Sequence, residues 1–287
     1  MLRIALPNKG RLSEQTRELF GDAGLELRSV GERALTATVG DDFQVLFVRA
    51  QDIPEFVADG AADCGITGWD LVIESGRSLE TLLDLSFGRC RLVAAVRDDS
   101  PITSLEDLWA GARVATAFPR TAARWFSDLE REVVIVPVSG AAEVAPHLGI
   151  ADVVVDLTST GSTLRVNGLR ELQTLLTSSA RLVAAPAARQ PQERATVLEE
   201  LTAALESVLR ARGQRYLMAN IPKTALERVK AILPGLNGPT VIDIMNGGAH
   251  AAVHAVVAAG AVYRTIAALK ALGAEGILVT RIERLMP

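Results

Sequence analysis

Aromatic side chains are scarce in this 287-residue sequence, which has three Trp, two Tyr and seven Phe, 4% of the chain. A core built without them must rest on Ala, Val, Leu and Ile, a composition that suits an α/β sheet covered by helices. Cysteine is almost absent: only Cys64 and Cys90 occur, both in apolar contexts, which predicts buried free thiols and excludes a disulfide scaffold. There is no basic surplus. The balance of 30 basic against 34 acidic residues gives a net charge of −4, which argues against nucleic-acid and membrane-surface partners. No apolar run approaches the roughly 20 residues that a bilayer span needs. The N-terminal MLRIALPNKG holds no apolar signal region, so the expected location is cytoplasmic. A Walker GxxxxGK[ST] spacing is missing, as is any Ser-His-Asp or Cys-His set.

What is present is a chain with 49% hydrophobic and 22% charged residues, ordinary for a globular protein of about two domains. Leu2–Leu6 reads as a strand stopped by Pro7-Asn8-Lys9-Gly10. Ser13 is placed to cap a helix reaching about Ala23, and Asp52 to cap another. Two β-rich runs flank Gly40-Asp41-Asp42, which is hairpin chemistry. Cys64–Thr67, Arg113–Thr116, Val133–Val138 and Asp152–Val155 read as buried strands. Strands alternating with helices predict parallel sheets with crossover helices. The pentad Arg91-Leu-Val-Ala-Ala95 recurs as Arg181-Leu-Val-Ala-Ala185, which suggests two strands crossing between lobes, out and back. Lobe 1 is then discontinuous, residues 1–89 and 181–213, with lobe 2 at 90–180. Pro191 opens a helix whose apolar stripe ends near Gly213. Residues 214–287 follow as a separate pattern. It has a strand over Tyr216–Ile221, a helix starting at Pro222, two strands joined through Asn246-Gly247-Gly248, a helix and a last strand. This βαββαβ order is the ferredoxin-like motif, and such an appended module suggests regulation by fold analogy.

Chemistry concentrates between Asp156 and Thr163. Five of the six residues Thr158, Ser159, Thr160, Gly161, Ser162 and Thr163 carry hydroxyls and the sixth is glycine. A strand-to-helix turn aims backbone N–H groups outward, the helix dipole favours an anion there, and glycine permits close approach. Asp156, at the strand's edge, repels phosphate but suits ribose hydroxyls or Mg²⁺. The mix fits one anionic sugar phosphate with free hydroxyls.

The segment Glu143–Leu164, with Gly149, Ala151-Asp152, Asp156-Leu157, the Ser/Thr-rich turn, Gly161 and Thr163-Leu164, resembles the phosphate loop of the ATP phosphoribosyltransferases. Pro7–Ser13, Arg49 with Asp52-Ile53-Pro54, Gly65–Gly68, Ala115–Pro119 and Tyr216–Met218 resemble the same family, so the likeness covers the whole chain. The resemblance implies a two-lobed, periplasmic-binding-protein-like (type II) catalytic body carrying a C-terminal ferredoxin-like domain. It implies a pentosyltransferase that joins ATP to 5-phosphoribosyl-1-pyrophosphate through adenine N1 and releases pyrophosphate, with Mg²⁺ held mainly by the substrate pyrophosphate. Lys9, Glu143 and Asp156 become the catalytic candidates. Thr158–Thr163 with Asp156 would hold the sugar phosphate, and Lys9, Arg11, Arg49 and Asp70 the nucleotide.

Members with this tail form the long branch of the family, inhibited by histidine and assembled as homodimers and homohexamers. The resemblance therefore implies a first enzyme of histidine biosynthesis with its own feedback control, and with AMP or ADP competing at the nucleotide site. Asn220 and Thr240 are the candidates for contacting histidine. The alternative is a non-catalytic two-lobed ligand-binding or regulatory subunit. His250 and His254 have helical metal-ligand spacing but fall in a segment that reads as strand, so no protein metal site is expected from them. Trp69, Trp109 and Trp125 read as packing residues.

Overall fold

The structure is a computed structural model that describes residues 1–28, 35–190, 192–245 and 248–286. The described residues build three sheets. The first part runs β1 (Leu2–Pro7), α1 (Gly10–Asp22), β2 (Thr36–Val39), β3 (Phe43–Val48), α2 (Ile53–Ala58), β4 (Cys64–Gly68), α3 (Trp69–Ser75) and β5 (Glu80–Asp84). The second runs β6 (Cys90–Arg97), β7 (Ala112–Thr116), α4 (Pro119–Asp128), β8 (Val133–Pro137), β9 (Val153–Thr158), α5 (Ser162–Val166) and β10 (Leu169–Ser178). Then β11 (Ala180–Ala184) rejoins the first sheet and α6 (Gln192–Ala211) follows.

The first sheet has the order β2-β3-β1-β4-β11-β5, with β3, β1 and β4 parallel and β11 antiparallel to both of its neighbours. The second has the order β10-β6-β9-β7-β8, with β9, β7 and β8 parallel and β6 antiparallel to β9 and β10. This is the two-lobed type II plan, and the chain passes between the sheets at β5–β6 and at β10–β11; the pentad strands themselves do not cross, since β6 pairs only within the second sheet and β11 only within the first. The first RLVAA copy lies inside β6, and the second fills β11 up to Ala184, with Ala185 just past its end.

Packing explains the local choices. All five residues of β4 are buried, and a Cβ on Gly65 would come within 2.5 Å of Ile53 Cγ2, so only glycine lets α2 lie this close. In the second lobe, Leu92, Ala94, Val96, Val114, Val153 and Val155 meet Phe118, Ala122 and Phe126 of the α4 segment on one face. Val93, Ala95 and Val154 meet Leu164 on the other. Both faces of the sheet are therefore dry, as a parallel sheet requires.

Residues 214–286 form the βαββαβ module: β12 (Gln214–Pro222), α7 (Leu226–Ile232), β13 (Thr240–Asp243), β14 (His250–Ala258), α8 (Val262–Ala271) and β15 (Glu275–Arg281). Its sheet order is β13-β14-β12-β15, the ferredoxin-like arrangement. Leu217, Ala219, Ile221, Val253, Ala255 and Val257 pack against Val229 and Leu269, while the alternate residues form an open face. The chain divides into two compact units, Met1–Thr202 and Ala203–Pro287, so the division falls inside α6. Among the described residues no helix is long and apolar enough to cross a membrane.

Several local expectations need correction. Ser13 is not a cap: α1 begins at Gly10, and Ser13 is buried on its inner face. Asp52 stands at the start of α2 but makes no side-chain cap bond, because the 3₁₀ turn Ala50–Asp52 runs straight into the helix. Pro222 ends a strand instead of opening a helix. It stays in register with His250, a 3₁₀ turn over Lys223–Ala225 follows, and α7 starts only at Leu226. Both cysteines are free, but Cys90 is only half-buried. Pro191, Asn246 and Gly247, expected at a helix start and a hairpin turn, lie outside the described residues.

Candidate active site

The carboxyl ends of the parallel strands bring the first group together. Pro7 pairs with Val48, and the Asn8 N–H donates to the Val48 carbonyl at 2.8 Å, so β1 and β3 end side by side. Lys9 and Arg49 leave this edge as neighbours, and Arg11 sits in the first turn of α1. All three are exposed, and among the described residues none has a carboxylate partner. Helix α1 has no side-chain cap and no acidic residue in its first turn. Its free N–H groups and these cations together make an edge that favours anions.

In the second lobe β9 is longer than its sequence suggests. Asp156, Leu157 and Thr158 pair with Val93, Leu92 and Arg91, so the loop proper is only Ser159–Gly161. The turn is fixed from within. Gly161 adopts φ +75° and donates its N–H to Thr158 Oγ1 at 2.8 Å, and the Thr160 and Ser162 hydroxyls lie 2.9 Å apart. Ser159, Thr160, Ser162 and Thr163 are exposed, while Leu164 anchors α5 in the dry cluster beneath. A Cβ on Gly161 would meet Glu171 Oε1 at 2.8 Å and Arg165 Nη1 at 3.4 Å. Glu171 is in turn gripped by Arg91, at 2.8 and 3.1 Å, and Arg91 also donates to Thr174 at 3.0 Å. Sequence reasoning missed this brace. The one signal was Arg91 opening the repeated pentad.

Asp156 is half-buried and accepts the Leu157 N–H at 2.7 Å. Burial pushes its carboxyl above the usual range, the Leu157 bond works against that, and the negative charge of Glu143 pushes it further up. Glu143 sits in the 3₁₀ turn Ala142–Val144, which Ala142 pins to the cluster holding Leu164. Glu143, one of the catalytic candidates, is only partly covered, and of the two carboxyls it is Asp156 whose acidity burial alters.

Asp70 lies at the carboxyl end of β4 but faces the interior. Only 5% of its surface is exposed. Ser178 Oγ donates to Asp70 Oδ1 at 2.5 Å and accepts the Asp70 N–H at 2.9 Å. The Trp69 N–H bonds the Ser179 carbonyl, and Ser179 Oγ bonds Asp84. These contacts staple α3 to the β10–β11 crossing. Burial raises the Asp70 carboxyl, against the lowering effect of its hydrogen bonds. The Cys90 thiol is pushed up to about 11, by burial first and then by Asp70. Of the tryptophans, Trp69 carries Arg181 over its ring, Trp125 meets Phe126 edge-on, and Trp109 is half-exposed.

Within the C-terminal module, Asn220 pairs with Ala252 and Thr240 with His254, which places both on the open face. His254 Nδ1 lies 2.5 Å from the Tyr216 hydroxyl on that face. Among the described residues no group of three His, Cys, Asp or Glu side chains is arranged to hold a metal.

The two sheets of the catalytic body therefore end in contrasting edges. The first offers cations and an uncapped helix, the second neutral hydroxyls beside two carboxylates, and this division suits a substrate pair of which one member is a sugar phosphate. Residues 49–207 match the family model described as ATP phosphoribosyltransferase, and residues 211–284 match HisG, C-terminal domain. The chain is 66% identical to the ATP phosphoribosyltransferase of Gemmatimonas aurantiaca and 45% to that of Methanosarcina barkeri, in each case over 100% of both chains. Among solved structures it is similar to the ATP phosphoribosyl transferase (HisG:HisZ) complex from Thermotoga maritima, with TM-score 0.63 and 29% identity over 72% of this chain and 99% of that one. The sheet plan, the loop and both family matches lead to one conclusion: the chain belongs to the ATP phosphoribosyltransferase family.

Proposed function

We propose that the protein joins ATP to 5-phosphoribosyl-1-pyrophosphate at the head of histidine biosynthesis. Adenine N1 attacks the anomeric carbon, the C–N bond forms, the C–O bond to pyrophosphate breaks, and phosphoribosyl-ATP and pyrophosphate leave. The observation that carries this reading is the end-to-end 66% identity with the Gemmatimonas protein of that name. No observation favours a non-catalytic subunit.

Oxocarbenium-like charge develops on the ribose as pyrophosphate departs, so catalysis rests on positioning and electrostatics. The Thr158–Thr163 turn holds the sugar 5-phosphate with hydroxyls and amides, and Asp156 accepts from the ribose hydroxyls. Glu143 adds negative charge on the same side. Lys9, Arg11 and Arg49 meet the anionic groups of the nucleotide. Asp70 shapes the nucleotide side from behind, through the hinge. Mg²⁺ would be held mainly by the substrate pyrophosphate, whose oxygens it would neutralise, with Asp156 as the nearby carboxylate of the second lobe.

The protein works in the cytoplasm as a homodimer and homohexamer, with lobe 1 at 1–89 and 181–213, lobe 2 at 90–180 and the regulatory module at 214–287. Histidine inhibits it by binding at the open face that bears Asn220 and Thr240, and AMP and ADP compete with ATP. The test is pyrophosphate release with Mg²⁺, ATP and the sugar pyrophosphate each omitted in turn, with and without histidine. Release requiring all three and suppressed by histidine is expected. Release indifferent to histidine removes the regulatory part, and no release from folded protein removes the transferase.

A further inference from the structure

Helix α4 begins without a cap of its own. Phe118 precedes it, Pro119 opens it, and no side chain from its own segment reaches its first N–H groups. The missing acceptor comes from the other lobe. Glu74, in the last turn of α3, accepts the Arg120 N–H at 3.0 Å and the Thr121 N–H at 2.9 Å, and the Thr121 hydroxyl donates to the same carboxylate at 2.7 Å. The contact is reciprocal. Gly76, which ends α3 with φ +68°, would place a Cβ 1.7 Å from Arg120 Nη1, so the guanidinium of α4 lies directly on the carboxyl end of α3. Each helix end thus receives a side chain of the sign its dipole favours. One turn earlier, Leu71 of α3 packs into the core of the second lobe with Phe118, Ala122 and Phe126.

We infer that Glu74 is a positioning residue for the transfer reaction, setting the angle of the second lobe against the first. The inference rests on the proposed function for what that angle serves. Helix α4 follows β7, the parallel neighbour of β9, whose end carries the Thr158–Thr163 turn. The start of α3 is fixed at the hinge by Ser178, while its end grips α4 through Glu74. Release of Glu74 leaves the crossings and both sheets intact but frees the second lobe to turn. The sugar-phosphate turn then loses its register with Lys9 and Arg49. Because the turn is built within the second lobe alone, its own affinity for the sugar pyrophosphate survives.

The experiment uses the full chain with Glu74→Ala and Glu74→Gln. Pyrophosphate-release kinetics and calorimetric binding of 5-phosphoribosyl-1-pyrophosphate alone are measured in parallel. Spin labels at Glu18→Cys on α1 and Ser127→Cys on α4 report the lobe-to-lobe distance. Cys64 is fully buried and out of the label's reach, and the half-buried Cys90 is changed to Ala in the labelled background. Glu74→Ala is expected to broaden the distance distribution and lower kcat by roughly 10- to 100-fold, the cost of small misplacements. Its affinity for the sugar pyrophosphate stays within about twofold, since the binding turn itself is unchanged. Glu74→Gln, which keeps one acceptor oxygen, recovers part of kcat. An unchanged distance distribution overturns the inference, as does an unchanged kcat or a sugar-pyrophosphate affinity that falls in step with kcat. If Glu74→Ala does not fold, Thr121→Val, which removes one of the three bonds, gives a smaller loss under the same criteria. A wild type that releases no pyrophosphate sinks the transferase reading instead, and the distance distributions still decide the latch.

Discussion

The two carboxyl edges of the catalytic body solve anion binding in different ways. The first lobe spends charge: Lys9, Arg11 and Arg49 stand exposed around the uncapped start of α1. The second lobe spends geometry: a three-residue turn, fixed by Gly161 and the Thr158 hydroxyl, presents neutral donors beside the carboxylates Asp156 and Glu143. Long-range charge is indifferent to orientation and suits a polyphosphate chain. Directed hydroxyls with a nearby acid suit a ligand that has one phosphate and several hydroxyls in fixed relation. The contrast predicts a crossed pattern of damage. Gly161→Val puts a β-branched residue at φ +75° and its Cβ against Glu171, so the turn must rebuild at a cost of about 1–3 kcal/mol or more. Sugar-pyrophosphate affinity should fall by more than about tenfold, with nucleotide affinity unchanged. Arg49→Ala should do the reverse, losing roughly tenfold or more in ATP affinity through a charge-assisted bond worth about 1.5–3 kcal/mol. Calorimetry on both variants with both ligands decides. Equal losses on both ligands would mean that the edges do not divide the work.

Much of this contrast was legible in the sequence, and what was not has identifiable causes. The Ser/Thr-rich run, Gly161 and the strand before it are local, and periodicity with turn chemistry finds them. The repeated pentad fell on β6 and β11, the strands just after the two passages between sheets, because a buried strand must be apolar throughout. Strand β10 escaped because its residues alternate polar and apolar irregularly, with register shifts between Glu171 and Gln173 and between Thr174 and Leu176. The end of β9 was read as loop because Asp156 and Thr158 are polar, yet pairing with β6 keeps them extended. Non-local side-chain bonds were invisible: nothing in the neighbourhood of Glu74 or Glu171 says what they touch. One hint existed, since Phe118-Pro119 starts a helix with no capping residue and the acceptor therefore had to come from elsewhere.

A smaller effect sharpens the second lobe's half of the comparison. Asp156 titrates above the ordinary carboxyl range because of burial, with the charge of Glu143 adding to the shift. If its ionised form is the one that holds the ribose, activity is lost as pH falls through that raised value. Glu143→Gln removes the like charge and leaves the burial. The acidic limb of the kcat/KM profile should then move to lower pH, though not to the ordinary value. A limb that stays in place, or moves up, shows that Asp156 and Glu143 do not act on one another.

The smallest expected effect concerns the hinge that joins the two edges. Asp70 belongs by position to the first edge, but its carboxyl is turned inward onto Ser178, where burial outweighs the hydrogen bonds that favour its charge. Its folded pKa is therefore above its unfolded one. Such a group contributes stability that is fully present below the unfolded pKa and is lost as pH rises through the folded pKa. At neutral pH the ionised carboxylate is a cost. Asn at this position still accepts the Ser178 hydroxyl and does not ionise. The Tm of Asp70→Asn relative to wild type should therefore climb with pH through the acidic range and level off near neutrality. Each kcal/mol recovered would be worth about 2–4 °C. The same variant separates two roles for the residue. A carboxylate that touches the nucleotide would raise the KM for ATP when neutralised, whereas one that only shapes the hinge leaves that KM unchanged while the Tm difference follows pH.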